Sequence, residues 1–231
     1  MFGNYERRMP RLMQNTRVAM RDGVELSCDV YLPPTGDGPW PVILSRTPYD
    51  NAREGGVKRA VWFAKRDYAV VLQDCRGRCD SDGEWNPFFD DARDGHDTVV
   101  WCGEQPWSTG KVGMMGGSYG GFNQWMAARE QPPYLAALVT TSSAGRWMEE
   151  LPYRFGVYST FWIIWLQLVG ARTSQPGYGG AFDGLAPIDW EWVTTRRPLR
   201  DQDLVIGRLD SVWREWLRHQ TFDDYWQEIS C

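Results

Sequence analysis

Apolar and polar residues alternate over residues 15–20 and again over 24–32, with Asp22-Gly23 between the two runs. Alternation is the period of a half-buried strand and Asp-Gly is a tight-turn pair, so the stretch predicts a β-hairpin. Pro33, Pro34, Gly36, Gly38 and Pro39 then mark a loop. Pro41-Val42-Ile43-Leu44-Ser45 is a short unbroken apolar run, as in a strand covered on both faces. Residues 58–66 have a helical pattern, and Tyr68-Ala69-Val70-Val71-Leu72-Gln73 is a second buried strand. A polar loop over 80–84 leads to a long helix over 89–103, whose first turns carry Asp90, Asp91 and Asp94, where the helix dipole favours acids. A strand ending near Gly117, a helix to about Arg129 and a strand over 134–140 follow.

After the hairpin, the order strand, helix, strand, helix, strand, helix, strand predicts an α/β fold. Its sheet is mostly parallel, with helices on both faces and right-handed crossovers. Ligands in such sheets bind at the C-terminal strand ends. Tyr49, Asp74 and Ser118 all fall there. From Gly145 the pattern changes. Residues 151–170 and 209–219 read as helices, 174–187 as a Gly/Pro-rich connection, and Leu204-Val205-Ile206 as the one candidate for a further short strand. The expected organisation is a core over 1–145 and a helical cap over 146–231.

The 231 residues suffice for one large domain or a domain with a cap, and 42% hydrophobic with 24% charged residues is ordinary globular composition. A net charge of −5 argues against a broad basic surface for nucleic acid. No apolar run approaches the roughly 20 residues of a membrane span; the nearest is Phe161-Trp162-Ile163-Ile164-Trp165-Leu166. Met1 to Met9 lack the apolar core of a signal peptide. Cys28, Cys75, Cys79, Cys102 and Cys231 form an odd, scattered set, which suggests reduced thiols in a cytoplasmic protein. No second Cys/His pair lies near Cys75 and Cys79 in sequence, so no zinc, and no other cofactor, is expected. Of the 14 tryptophans many follow residue 146. Trp147, Trp162 and Trp165 are candidates for a binding surface, although a helical layer packed by aromatic burial is the better reading of such a region.

The chemistry concentrates in Gly116-x-Ser118-x-Gly120, set between a strand-like run and a helix-like run. This is the pattern of a nucleophile elbow, where a strand turns sharply into a helix and holds a serine out at the turn. Glycines are needed because a Cβ on either side would clash, and the serine itself occupies strained backbone space. The helix N-terminus faces the place where negative charge would develop.

Other motifs join it. Arg46-Thr47-Pro48-Tyr49-Asp50 resembles a strand-end motif with an oxyanion tyrosine. The stretch Gln73-Asp74-Cys75-Arg76-Gly77-Arg78-Cys79-Asp80 resembles an Asp-x-Arg-Gly loop that usually has a small residue or glycine at the Cys79 position. Gln105-Pro106-Trp107-Ser108-Thr109-Gly110 leads into the elbow. Together they resemble the cocaine-esterase-like and Xaa-Pro dipeptidyl-peptidase-like serine hydrolases of the α/β-hydrolase superfamily, with the α-amino-acid ester hydrolases as relatives. The likeness runs from the hairpin to the last helix. It implies Ser118 as nucleophile, the Tyr119 backbone N–H and the Tyr49 hydroxyl as oxyanion donors, and a small-molecule ester, amide or short-peptide substrate. Asp74 and Arg76 are expected as an ion pair shaping the site loop.

The fold's chain order is Ser, then acid, then His. His96 precedes Ser118, and His219 falls where the family has a cap-closing stretch rather than the base. Acid, histidine and the last sheet strands are therefore expected to be missing, as in a C-terminally truncated member. One alternative is a rewired site with His219 as base and Asp183, Asp189, Asp201, Asp203 or Asp210 as acid. Another is a non-catalytic α/β-hydrolase-like binding protein. Oligomerisation stays open.

Overall fold

The computed structural model describes residues 9–173, 189–207 and 210–231. These form two compact units, Met1–Ser143 and Ala144–Cys231.

The first unit is built on strands β1 (Arg11–Ala19), β2 (Glu25–Leu32), β3 (Trp40–Thr47), β4 (Ala69–Asp74), β5 (Ser108–Gly117) and β6 (Leu135–Thr141), with helices α1 (Glu54–Ala64), α2 (Asp91–Glu104) and α3 (Tyr119–Arg129). The sheet order is β1-β2-β4-β3-β5-β6. β1, β2 and β4 pair antiparallel, whereas β4, β3, β5 and β6 run parallel. This is a mixed α/β fold with a mainly parallel central sheet, as the order of elements predicts.

Period-two alternation sorts the core onto two faces. Ile43, Val70 and Leu72 point to the face where Ala60 and Ala64 of α1 pack. Val42, Leu44, Ala69 and Val71 point to the other, where Val99 and Cys102 of α2 and Ala127 of α3 pack. Gly95 lets α2 and α3 touch, since a Cβ there would lie 2.7 Å from the Ala127 Cβ. α1 begins at Glu54, earlier than the helical pattern over 58–66 indicates, because Gly55 and Gly56 hide the signal. At the sheet's edge β6 leaves Ala136, Ala137 and Val139 exposed.

The second unit contains short strands β7 (Trp147–Met148), β8 (Leu151–Arg154) and β9 (Val157–Tyr158). Helices α4 (Phe161–Val169), α5 (Trp190–Thr195), α6 (Gln202–Val205), α7 (Ser211–Arg218) and α8 (Asp224–Glu228) follow. Two expectations fail here. The first half of 151–170 is a ribbon, not a helix: β8 turns into β9 through Phe155 and Gly156, both at positive φ (53° and 76°), a turn that no helix can contain. Residues 202–205 are helical rather than a strand. The Gly/Pro-rich connection at 174–187 lies outside the described residues.

The unit's core is aromatic. Trp147, Trp162, Trp213, Trp216 and Trp226 are buried. The rings of Trp162 and Trp216 stand 5.3 Å apart, and those of Trp147 and Trp162 5.5 Å, within the range of favourable aromatic pairs. The last residues close the unit: the Cys231 N–H donates to the Gly145 carbonyl and the Trp147 N–H to the Ser230 hydroxyl. Among the described residues no helix is long and apolar enough to cross a membrane.

Candidate functional site

Ser118 stands between the last residue of β5 and the first of α3, at φ 54° and ψ −120°. A non-glycine residue at positive φ costs about 1–3 kcal/mol and persists only where its surroundings hold it. Here they do. The Ser118 N–H donates to the Thr141 carbonyl on β6 at 2.9 Å, and its carbonyl accepts from the Gly121 and Phe122 N–H groups at 2.9 and 3.0 Å. Gly116 is dictated by sterics, since a Cβ there would lie 2.8 Å from the Gly120 carbonyl oxygen. The serine is exposed and its side chain makes no capping bond to the helix. The first turn of α3 directs N–H groups out of its start, where a developing anion is favoured.

The elbow is anchored from beneath. The Tyr119 ring is buried and stacks on Phe88 at 4.6 Å. Its hydroxyl donates to Asp91 Oδ2 at 2.5 Å and accepts from the Phe88 N–H at 2.9 Å. Asp91 meets the fully buried Arg46 at 3.1 Å, and Arg46 Nε donates to Gln73 Oε1 at 2.8 Å. Burial pushes the Asp91 carboxyl up, while the Arg46 charge and the Tyr119 hydroxyl oppose the rise. From α3, Gln124 Nε2 donates to the Gly120 and Gly116 carbonyls at 2.6 and 3.2 Å. Asn123 Nδ2 donates to the Arg46 carbonyl at 3.0 Å. Arg46, Asp91, Asn123 and Gln124 carry no periodic signal that marks them in the sequence.

Tyr49 is half-buried in the loop after β3, its N–H bonded to Thr47 Oγ1 at 3.1 Å. A cavity of about 350 Å3 is lined by Tyr49, Asn51 and the elbow glycines Gly116, Gly117 and Gly120. Tyr49 and the elbow backbone therefore share one cavity, whereas Ser118 is not part of its lining.

Asp74 and Arg76 do not form the expected ion pair. Arg76 reaches Asp94 at 2.6 Å and Asp22 at 2.7 Å, both remote in sequence. Asp74 instead accepts the Asn51 N–H at 2.8 Å. Burial pushes its carboxyl up to about 7, against the pull of the Asn51 and Asp80 backbone N–H groups.

Each histidine has its own hydrogen-bond partners. His96 Nδ1 faces Arg21 and Asp97, each at 3.0 Å. His219 faces Asp223 through Nδ1 at 2.6 Å and Glu215 through Nε2 at 3.1 Å, and stacks on Tyr225. Those carboxylates, Asp223 first, hold its pKa above the ordinary imidazole value. The acids named for a rewired site do other work. Asp189 and Asp210 cap α5 and α7, and Asp203 pairs with Arg214 at 2.7 Å. Asp201 lies 4.0 Å from Arg214, and Asp183 is outside the described residues. Trp147, Trp162 and Trp165 are 1%, 5% and 6% exposed and lie within the aromatic core.

Comparison with known proteins agrees with this architecture. Cocaine esterase of Rhodococcus sp. (strain MB1 Bresler) is 35% identical over 243 residues, covering 99% of this chain and 41% of that protein. A putative serine esterase of Mycobacterium bovis is 29% identical over 62% of this chain and 26% of its own length. Among solved structures, an α-amino acid ester hydrolase superposes with a TM-score of 0.79 at 24% identity, covering 100% of this chain and 41% of the other. A CocE/NonD family hydrolase from Staphylococcus aureus gives 0.72 at 23% identity over 95% and 38%. The chain thus spans about two-fifths of the length of cocaine esterase. The family model for X-Pro dipeptidyl-peptidases matches residues 22–231, and the chain belongs to that family, the S15 family.

Proposed function

We propose that this chain carries the nucleophile half of a serine hydrolase of the acyl-transfer class. It would cleave a small-molecule ester, an amide or a short Xaa-Pro peptide through an acyl-enzyme. Ser118 is the nucleophile. The Tyr119 backbone N–H and the Tyr49 hydroxyl are the oxyanion donors. The single observation that carries this reading is the backbone of Ser118: an exposed serine at φ 54°, in the turn from β5 into α3. Strain held in place by neighbours at a strand-to-helix turn is what a nucleophile elbow requires.

We further propose that the catalytic acid and histidine come from polypeptide outside these 231 residues. Two observations support this. Both ring nitrogens of His219 face carboxylates, which favours the doubly protonated ring, and an imidazolium cannot accept a serine proton. β6 ends the sheet order, so one of its backbone edges is open, and an open edge suits a further strand. Residues 146–231 serve as the cap, with Trp147, Trp162 and Trp165 as its packing rather than as substrate contacts.

Fluorophosphonate labelling of the folded chain, located by mass spectrometry, tests the nucleophile. Slow modification confined to Ser118 is the expected outcome. No modification in folded protein would favour a non-catalytic binding protein on the same scaffold.

A further inference from the structure

A cluster of groups able to ligate a metal lies beside the cavity and has no part in the acyl-transfer reading. Asp50 follows Tyr49 in the loop after β3, Asp74 ends β4, and Cys79 sits in the loop beyond it. One ligand atom from each lies within 4.8 Å of the others. Asp74 is 1% exposed; its Oδ1 accepts the Asn51 N–H and the Asp80 N–H also draws on the carboxylate, but among the described residues its Oδ2 has no hydrogen-bond partner of good geometry. A buried carboxylate oxygen without a partner is costly, and an ion or a water is the usual remedy.

We propose that Asp50, Asp74 and Cys79 form a binding site for a thiophilic divalent cation of the zinc type, which ties the Tyr49 loop to the end of β4. The donor set selects the ion. A thiolate excludes calcium and magnesium, which take oxygen ligands, and two carboxylates with one sulfur suit zinc. Three protein ligands leave the fourth tetrahedral position to water. Metal–ligand bonds of about 2.0–2.3 Å require the cluster to contract by on the order of 1 Å. Two of the ligands sit on loops and are only half-buried, so the movement is available.

Charge supports the assignment. Once deprotonated, two carboxylates and a thiolate bring three negative charges, which a divalent ion offsets in large part. Arg78, whose charge acts on Cys79 and Asp74, is buried, and its Nε donates to the Pro48 carbonyl at 2.7 Å. In the ion's absence, burial and the neighbouring acids Asp74 and Asp50 push the Cys79 thiol up to about 12. Binding releases the thiol proton to solvent and puts the metal–sulfur bond in its place. In the sequence, the lack of a second Cys/His pair near Cys75 and Cys79 argues against zinc. The structure separates these two, with Cys75 Sγ turned to Asp91 at 3.7 Å, and supplies oxygen ligands from another strand end.

Cobalt(II) titration of the chelator-stripped 231-residue chain tests the site without any turnover, so it stands apart from the hydrolase reading. The expected result is one equivalent bound, with a thiolate-to-cobalt charge-transfer band and the strong visible bands of a four-coordinate ion. Zinc should bleach both. Cys79→Ser should abolish the charge-transfer band. Cys231→Ser, at the exposed cysteine, should keep it. Asp50→Asn, at a half-exposed loop position, should weaken binding at least about tenfold with an unchanged far-ultraviolet spectrum. It tests the site even if Cys79→Ser fails to fold. No band at one equivalent, a band that survives Cys79→Ser, or Asp50→Asn binding as tightly as the unaltered chain would overturn the proposal.

Discussion

Asp91→Ala should be among the most destabilising single substitutions in the first unit. The carboxylate makes three contacts at once: Arg46 at 3.1 Å, the Tyr119 hydroxyl at 2.5 Å and the Cys75 thiol at 3.7 Å. Removing it leaves the Arg46 guanidinium, whose side chain is 0% exposed, with Asp94 at 3.8 Å as the remaining carboxylate among the described residues. Breaking a buried pair from one side costs about 3–5 kcal/mol, because the remaining charge cannot reach water. The Tyr119 hydroxyl loses its acceptor as well. Against a domain stability of roughly 5–15 kcal/mol, the loss is a large fraction. Urea unfolding followed by far-ultraviolet circular dichroism reads it. Tyr119→Phe, which removes only the hydroxyl's bonds, should cost less, about 1–3 kcal/mol. Replacing both charged partners, Arg46→Met with Asp91→Leu, should cost clearly less than the sum of the single changes. An Asp91→Ala protein within about 1 kcal/mol of the original would refute the claim that this pair holds the elbow's underside.

Two further outcomes follow from the same geometry. Gly116→Ala should destabilise by about 1–3 kcal/mol, because its Cβ would meet the Gly120 carbonyl oxygen at 2.8 Å and backbone must shift; urea unfolding measures it. His219 has a folded-state pKa raised by Asp223 and Glu215, so its contribution is fully present below the unfolded value near 6.5 and is lost as pH rises through the folded value. His219→Gln should therefore flatten the fall in stability above about pH 6.5, and an unchanged pH profile would show that the three groups do not interact in solution.

The strands and helices of the first unit are legible because their burial is periodic. Val70 and Leu72 face one helix layer and Val71 the other, and such a run can be read without coordinates. The strained turn at Ser118 is legible because a Cβ at Gly116 would meet the Gly120 carbonyl oxygen, which marks the position as glycine. The charged groups under the elbow are not legible. Asp91 and Asp94 look like first-turn acids facing a helix dipole, yet both are buried against arginines from other elements. Arg76 finds its partners across the fold rather than beside it in the chain. Burial of charge is a tertiary decision that local pattern does not encode. The ribbon at 151–158 was masked for a related reason: its apolar and aromatic content suits a helix or a strand equally, and only Pro152 and Gly156 hint at the turn.

The central claim is that Ser118 is a poised nucleophile whose base lies elsewhere. Turnover of an activated aryl ester by the purified 231-residue chain, alongside Ser118→Ala and His219→Ala, tests it most directly. The account predicts no more than the residual catalysis of an oxyanion hole and binding, about 10³–10⁴ over water. That residual activity should be little changed in Ser118→Ala and in His219→Ala alike, since neither the serine nor this histidine carries it. Robust turnover abolished by both substitutions would contradict the account and make His219 the base.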